Sequence, residues 1–202
     1  MGNQQMAREI PKYAIKYLIK TPNGGSMPEA FSEDLSKKVL RFHRLLPAYQ
    51  PTRLIRLRNL ARSWGVAEIL IKDESTRFGL GAFKVLGGSY AVARLLCQKL
   101  GFDIQTIDFD CLTNDAVRKR VGHIILATAT DGNHGRGVAW TAEQLGLKAM
   151  IYMPKGTACA RVENIRRHGA TVAVTDLNYD DTVRLCSRRA RENGWHVIQD
   201  TA

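Results

Sequence analysis

His123-Ile-Ile-Leu-Ala-Thr-Ala-Thr-Asp-Gly-Asn-His-Gly135 decides the fold class. Residues 123–128 form the short apolar run of a buried strand, and a polar, glycine-containing loop follows it. A helix is expected over 134–145, closed by Gly146. The unit recurs downstream: strand 148–153, helix 157–168 stopped at Gly169, strand 171–175, helix 180–193 stopped at Gly194, and a last strand over 195–199. Strands alternating with helices of this length make βαβ units, hence an α/β fold with a parallel sheet and right-handed connections. Such a sheet carries its site outside the carboxyl ends of its strands.

Upstream, 68–73 reads as a strand and 83–100 as a helix capped by Gly101, while 102–121 is an irregular insertion holding a short helix. Leu35, Val39, Phe42 and Leu46 recur three or four apart, so a helix is expected over 32–46, broken by Pro47 and Pro51. Residues 1–30 are basic and punctuated by Pro and Gly, as in an extended arm. The organisation expected is an arm over 1–30, part of a larger α/β domain over 31–85, and a small parallel-sheet domain over 86–200 with its insertion near 102–121.

With 45% apolar residues in 202, the chain has enough material for a core. It has no apolar run near the roughly 18 residues that would span a membrane. The first 20 residues lack the charged start, apolar run and cleavage site of a signal peptide, and Met6 stands where a myristoylation signal has Ser or Thr. No membrane association and a cytoplasmic location are therefore expected. Cys97, Cys111, Cys159 and Cys186 form no C-x-x-C pair, so neither a disulfide framework nor a metal site is expected. The net charge of +11 raises a nucleic-acid partner. However, Arg161, Arg166, Arg167, Arg184, Arg188, Arg189 and Arg191 share their helical segments with Glu163, Asp180, Asp181 and Glu192. A solvated helix face explains them, and no nucleic acid is expected.

Two segments carry chemistry. In Arg77-Phe-Gly-Leu-Gly-Ala-Phe-Lys84, a lysine opens a helix after a glycine-rich turn. A helix N-terminus disfavours an ammonium, and a neutral amine is what imine formation needs. From spacing alone, Lys84 reads rather as an ordinary exposed helix lysine. In Thr128-Ala-Thr-Asp-Gly-Asn-His-Gly135, backbone N–H groups at a helix start suit an anion. The spacing matches neither a Walker loop nor a dinucleotide fingerprint. Asp131 is unusual in an anion site: it either caps the helix or faces a cationic part of the ligand. Asp200, at the end of the last strand, faces the same cleft or serves a turn.

Together, Ala82-Phe-Lys84 and Thr130-x-Gly-Asn-His134 resemble the tryptophan-synthase-like, fold-type II pyridoxal-phosphate (PLP) enzymes, which include the serine and threonine dehydratases. Lys72-Asp-Glu-Ser-Thr-Arg-Phe-Gly79, Thr130-Asp-Gly-Asn-His-Gly-Arg-Gly-Val-Ala-Trp140, Ile151-Tyr-Met-Pro-Lys-Gly156, Asn178-Tyr-Asp-Asp-Thr-Val-Arg-Leu185 and Gln199-Asp-Thr-Ala202 are similar to the diaminopropionate ammonia-lyase family. The similarity runs from about Tyr49 to the end of the chain. Arg53, where that family tends to repeat proline, and Gly81, at a variable position, are its departures.

The resemblance implies that Lys84 carries PLP, that Asn133 hydrogen-bonds its ring oxygen, and that Thr130, Asp131, Gly132 and His134 form the loop for the substrate carboxylate. Lys84, Asp131 and Asp200 are the implied acids and bases. The implied reaction is elimination of ammonia from 2,3-diaminopropionate, a small amino acid, to pyruvate, with PLP as the electron sink. A serine or threonine dehydratase, or an inactive half that only binds or oligomerises, are the alternatives. The family's glycine-rich phosphate loop has no counterpart here, and the C-terminal half of the large domain is expected outside this chain. These residues alone are therefore expected to be inactive, and the full-length protein to be a homodimer.

Overall fold

The computed structural model describes residues 32–200, so the arm expected over 1–30 lies outside them. In chain order the elements are α1 (Glu33–Arg44), β1 (Leu54–Arg56), α2 (Arg58–Trp64), β2 (Leu70–Lys72), a tight 3₁₀ segment (Glu74–Gly79), α3 (Lys84–Leu100), α4 (Phe109–Thr113), α5 (Asp115–Val121), β3 (Ile125–Ala129), α6 (Asn133–Leu145), β4 (Lys148–Met153), α7 (Cys159–Arg166), β5 (Thr171–Val174), α8 (Tyr179–Asn193) and β6 (His196–Val197). The last four strands form one parallel sheet in the order β5-β4-β3-β6. This is the α/β architecture that the alternation predicts.

Alternation along the strands sorts the two faces of the sheet. Leu126, Ile151 and Met153 join the main core with Val92, Leu96, Val138, Leu145 and Ile165 from α3, α6 and α7. Ala127, Ala129 and Tyr152 point the other way, against Cys186 and Ala190 of α8. Phe42 and Leu46, at the end of the early helical segment, belong to the main core. His43 of α1 donates its Nε2–H to the Leu86 carbonyl at 2.8 Å, and burial holds the imidazole below its usual pKa, which keeps it neutral.

Three local expectations change. The strand expected over 68–73 contracts to β2, which pairs antiparallel with β1 in a separate two-stranded sheet. The sequence pattern predicts neither β1 nor α2, because three- and seven-residue elements are too short to show a period. The last strand contracts to two residues: beyond Val197, the Ile198 N–H still donates to the Ala127 carbonyl, but the pairing ladder has ended.

The close approach of α3 and α6 fixes where the first residues of the two helices, Lys84 and Asn133, stand. A Cβ on Gly137 would lie 2.8 Å from Val85 Cα and 3.0 Å from Val85 N, so only glycine lets the two helices meet at this crossing. Gly137→Ala therefore pushes backbone against backbone. We expect it to cost about 1–3 kcal/mol, the usual penalty of overpacking. Chemical denaturation checks this, and an unchanged midpoint would show that the helices tolerate separation.

Candidate active site

Lys84 is the first residue of α3, Asn133 the first of α6, Tyr179 the first of α8, and Asp200 follows β6. The α3–α6 packing and the parallel order bring all four to the carboxyl edge of the sheet. This is the edge where an α/β fold binds ligands.

Asp200 contributes to two adjoining cavities. One, of about 350 Å³, is bordered by Phe83, Lys84, Gly87, Gly88, His134 and Asp200. The other, of about 260 Å³, is bordered by Thr128, Tyr179, Val183, Gln199 and Asp200, among others. The Lys84 ammonium donates to Asp200 Oδ2, with the lysine side chain 33% and the carboxylate 21% exposed. This contact opposes the effect of the helix start, which disfavours the ammonium. The hydrogen bond to Asp200 raises the Lys84 pKa, burial opposes it, and the Asp200 and Asp131 charges add to the rise. A direct carboxylate contact outweighs the diffuse field of a helix end.

The loop after β3 is organised by Thr130. Its buried hydroxyl accepts the N–H groups of Gly132 and Gly135 at 3.0 and 3.1 Å. Asp131 is thus not the cap of α6. The Ncap position is Gly132, at φ 155°, and it makes no side-chain capping bond. A Cβ there would also meet Arg161 Cδ at 3.3 Å, while Arg161 Nη1 donates to the Asp131 carbonyl at 2.9 Å. With Gly132 and Gly135 engaged, the Asn133 and His134 N–H groups in the first turn of α6 remain available to an anion. The Asp131 and Asn133 side chains are exposed, whereas His134 is buried.

Tyr179, to which no motif assigned a role, stands in the same site. Burial raises its phenol pKa, the carboxylates of Asp200 and Asp131 add to the rise, and Lys84 opposes it, so the hydroxyl stays protonated at neutral pH. Its place directly after a strand and turn, opening a helix on the sheet's carboxyl edge, was the available signal.

The segment leading to Lys84 is clamped from two sides. Arg77, 4% exposed, makes a two-point pair with Glu74 at 2.7 and 3.0 Å and donates to the Gln50 carbonyl at 2.9 Å. Phe78 follows at φ 49°, an uncommon angle for a residue with a side chain, and packs on Trp140 at 5.0 Å between ring centres. From α6, Arg136 Nη1 donates to the Leu80 carbonyl at 2.9 Å.

Among the described residues, no helix is long and apolar enough to cross a membrane, and no cluster of His, Cys, Asp and Glu could hold a metal ion.

The profile of the family described as pyridoxal-phosphate dependent enzyme matches residues 45–202. A diaminopropionate ammonia-lyase of Salmonella typhimurium is 50% identical over 194 residues, which is 96% of this chain and 48% of that protein. The enzyme of the same name from Escherichia coli is 53% identical over 180 residues, covering 89% of this chain and 44% of that one. A crystal structure of the Escherichia coli lyase in apo form superimposes with a TM-score of 0.81 at 53% identity, over 88% of this chain and 48% of the other. The chain thus spans about half the length of the relatives it matches.

Proposed function

We propose, from the premise that this chain belongs to the pyridoxal-phosphate dependent enzyme family, that it supplies one wall of a lyase site that releases ammonia from 2,3-diaminopropionate. The observation that carries this reading is Lys84, a primary amine opening on a cavity and held beside Asp200 at the sheet's carboxyl edge. The residues fit the cofactor. The amine is partly exposed, and Gly87, which borders the cavity, has no neighbouring atom within 4 Å of where a Cβ would stand.

PLP, when bound, supplies an electron sink for the carbanion left by loss of the α-proton. Lys84 attaches it. The Asn133 amide, exposed at the start of α6, hydrogen-bonds its ring oxygen. The Asn133 and His134 N–H groups hold the substrate carboxylate, with Thr130 and Gly132 shaping the loop around it. Asp131, Asp200 and the Lys84 amine are the candidates to take or return protons. One diaminopropionate and one water give pyruvate and two ammonia molecules.

In this reading, 31–85 is the start of a larger domain completed by sequence beyond this chain, and 86–200 is the small domain. Leu54, Leu70 and Ile71 on the two-stranded sheet are exposed, as a surface awaiting that completion would be. The cofactor's phosphate site then also lies in the completing half. These 202 residues alone have little lyase activity, because orientation is lost without that half. A cytoplasmic homodimer is the form proposed for the full-length protein. The test is to reduce the full-length, PLP-loaded protein with borohydride and map the adduct. Recovery on Lys84 supports the reading, and recovery on Lys72 or Lys155 overturns it.

Asp131 has a separate task in this proposal, the choice of a diamino acid. Its carboxylate stands beside a loop suited to an anion, and the second ammonium of the substrate offsets that charge. Asp131→Ala is expected to lower turnover of diaminopropionate by about 10²-fold or more. Turnover of serine, which lacks that ammonium, should fall far less. Equal losses on the two substrates, measured by pyruvate release, would remove the selective role.

A further inference from the structure

Asp200 sits past the end of the β6 ladder, where no strand pairing fixes it. Its position depends on the residues around it, and one of them is His134, 4% exposed near the start of α6. Two contacts define the imidazole. Nε2 lies 2.8 Å from the Ile198 carbonyl oxygen, and Nδ1 lies 3.7 Å from Asp200 Oδ1. A carbonyl oxygen only accepts, so Nε2 carries a hydrogen. Nδ1 then meets the carboxylate either with a lone pair, which repels it, or with a proton, which binds it.

We infer that His134 is the positioning residue for Asp200: Nε2–H anchors the chain at Ile198, two residues before the carboxylate, and Nδ1 stands 3.7 Å from Asp200 Oδ1. This rests on the proposed role of Asp200 in proton transfer. Lys84 on α3 and Tyr179 on α8 face this carboxylate, Asp131 on the loop before α6 lies near both of them, and Asp180 and Arg184 of α8 line the same cavity.

The reason for a second partner lies in Lys84. While its ammonium is free, it holds Asp200 through Oδ2. Once the amine is engaged with the cofactor, that contact weakens, and a partly buried carboxylate loses its partner. His134 addresses the other oxygen and is already held in place through Ile198. The carboxylate therefore stays aimed at the cavity when the lysine is occupied.

The test separates this idea from the activity it serves. Imidazole nitrogen NMR on the full-length protein, without cofactor and with it, reads the tautomer and titration of His134 directly. The expected result is a proton on Nε2 throughout, and an Nδ1 chemical shift that moves in Asp200→Asn, since the charge beside that nitrogen is removed. His134→Gln, whose amide can still donate to Ile198, should keep the unfolding midpoint while shifting the pH profile of pyruvate release. His134→Phe should shift the profile and lower the midpoint. A proton on Nδ1 alone, an Nδ1 shift indifferent to Asp200→Asn, or an unmoved pH profile in His134→Gln overturns the inference. If the NMR coupling holds while Lys84 carries no cofactor, the lyase reading fails and the positioning of Asp200 stands.

Discussion

Lys84→Ala in the full-length protein is expected to abolish covalent attachment of PLP and to lower pyruvate release by at least about 10³-fold. Two losses combine. The amine is the proposed attachment point, and it is also one of the candidate proton carriers, a role worth about 10²–10⁴-fold alone. Removing it further strips Asp200 of its ammonium partner and leaves a half-buried carboxylate facing His134. The absorbance of the lysine-bound cofactor and a pyruvate assay check both losses. Retained absorbance and turnover would place the chemistry on another residue. Lys84→Arg separates the effects, because it keeps a cation beside Asp200 and should restore stability without restoring attachment.

Arg77→Ala is expected to be the most destabilising single change in the segment before Lys84, by about 3–5 kcal/mol, as when one partner of a buried pair is removed. The guanidinium satisfies Glu74, the Gln50 carbonyl and Thr52, and it lies 5.3 Å from the centre of the Tyr49 ring. Its loss leaves the Glu74 carboxylate, 16% exposed, without its cation. The pH dependence comes from the Glu74 carboxyl. The Arg77 hydrogen bond holds it below the usual carboxylate range, burial opposes this, and the Thr52 hydroxyl adds to the lowering. A depressed carboxyl contributes stability at neutral pH and loses it as the pH falls through its folded-state value. The wild-type protein should therefore lose stability in acid that Arg77→Ala has already lost. Denaturation at neutral and acid pH should show a smaller difference for the variant. Equal differences would mean that Glu74 does not report the pair.

The regular elements were legible where their periods were long. The α3 helix and the helices after β3, β4 and β5 end near the glycines that predicted their stops, and Gly101, Gly146 and Gly194 take left-handed angles there. The small sheet of β1 and β2 was half-missed, since a three-residue strand has no pattern to read and its pairing partner lies 14 or more residues away. Lys84, the Thr130–His134 loop and Asp200 were legible as candidates, because a lysine at a helix start and a loop after a buried strand are local features, and the structure brings Lys84, His134 and Asp200 together. Tyr179 was not singled out, because its one signal, opening a helix at the sheet's carboxyl edge, does not by itself mark a tyrosine as part of a site.

By itself, the amino-acid sequence determined the alternation of strands and helices, the parallel sheet, and the family, because periodicity and short motifs act over a few residues. Tertiary structure alone decided how those residues behave. It set the Lys84 ammonium against a carboxylate 116 positions away, which raises the lysine pKa against the pull of the helix end. It engaged the Thr130 hydroxyl with two amides and left Asp131 uncapping and exposed. It also turned His134 inward onto Ile198 and Asp200. A side chain's charge and partners depend on distances of a few ångströms in space, and separation along the chain carries no such information.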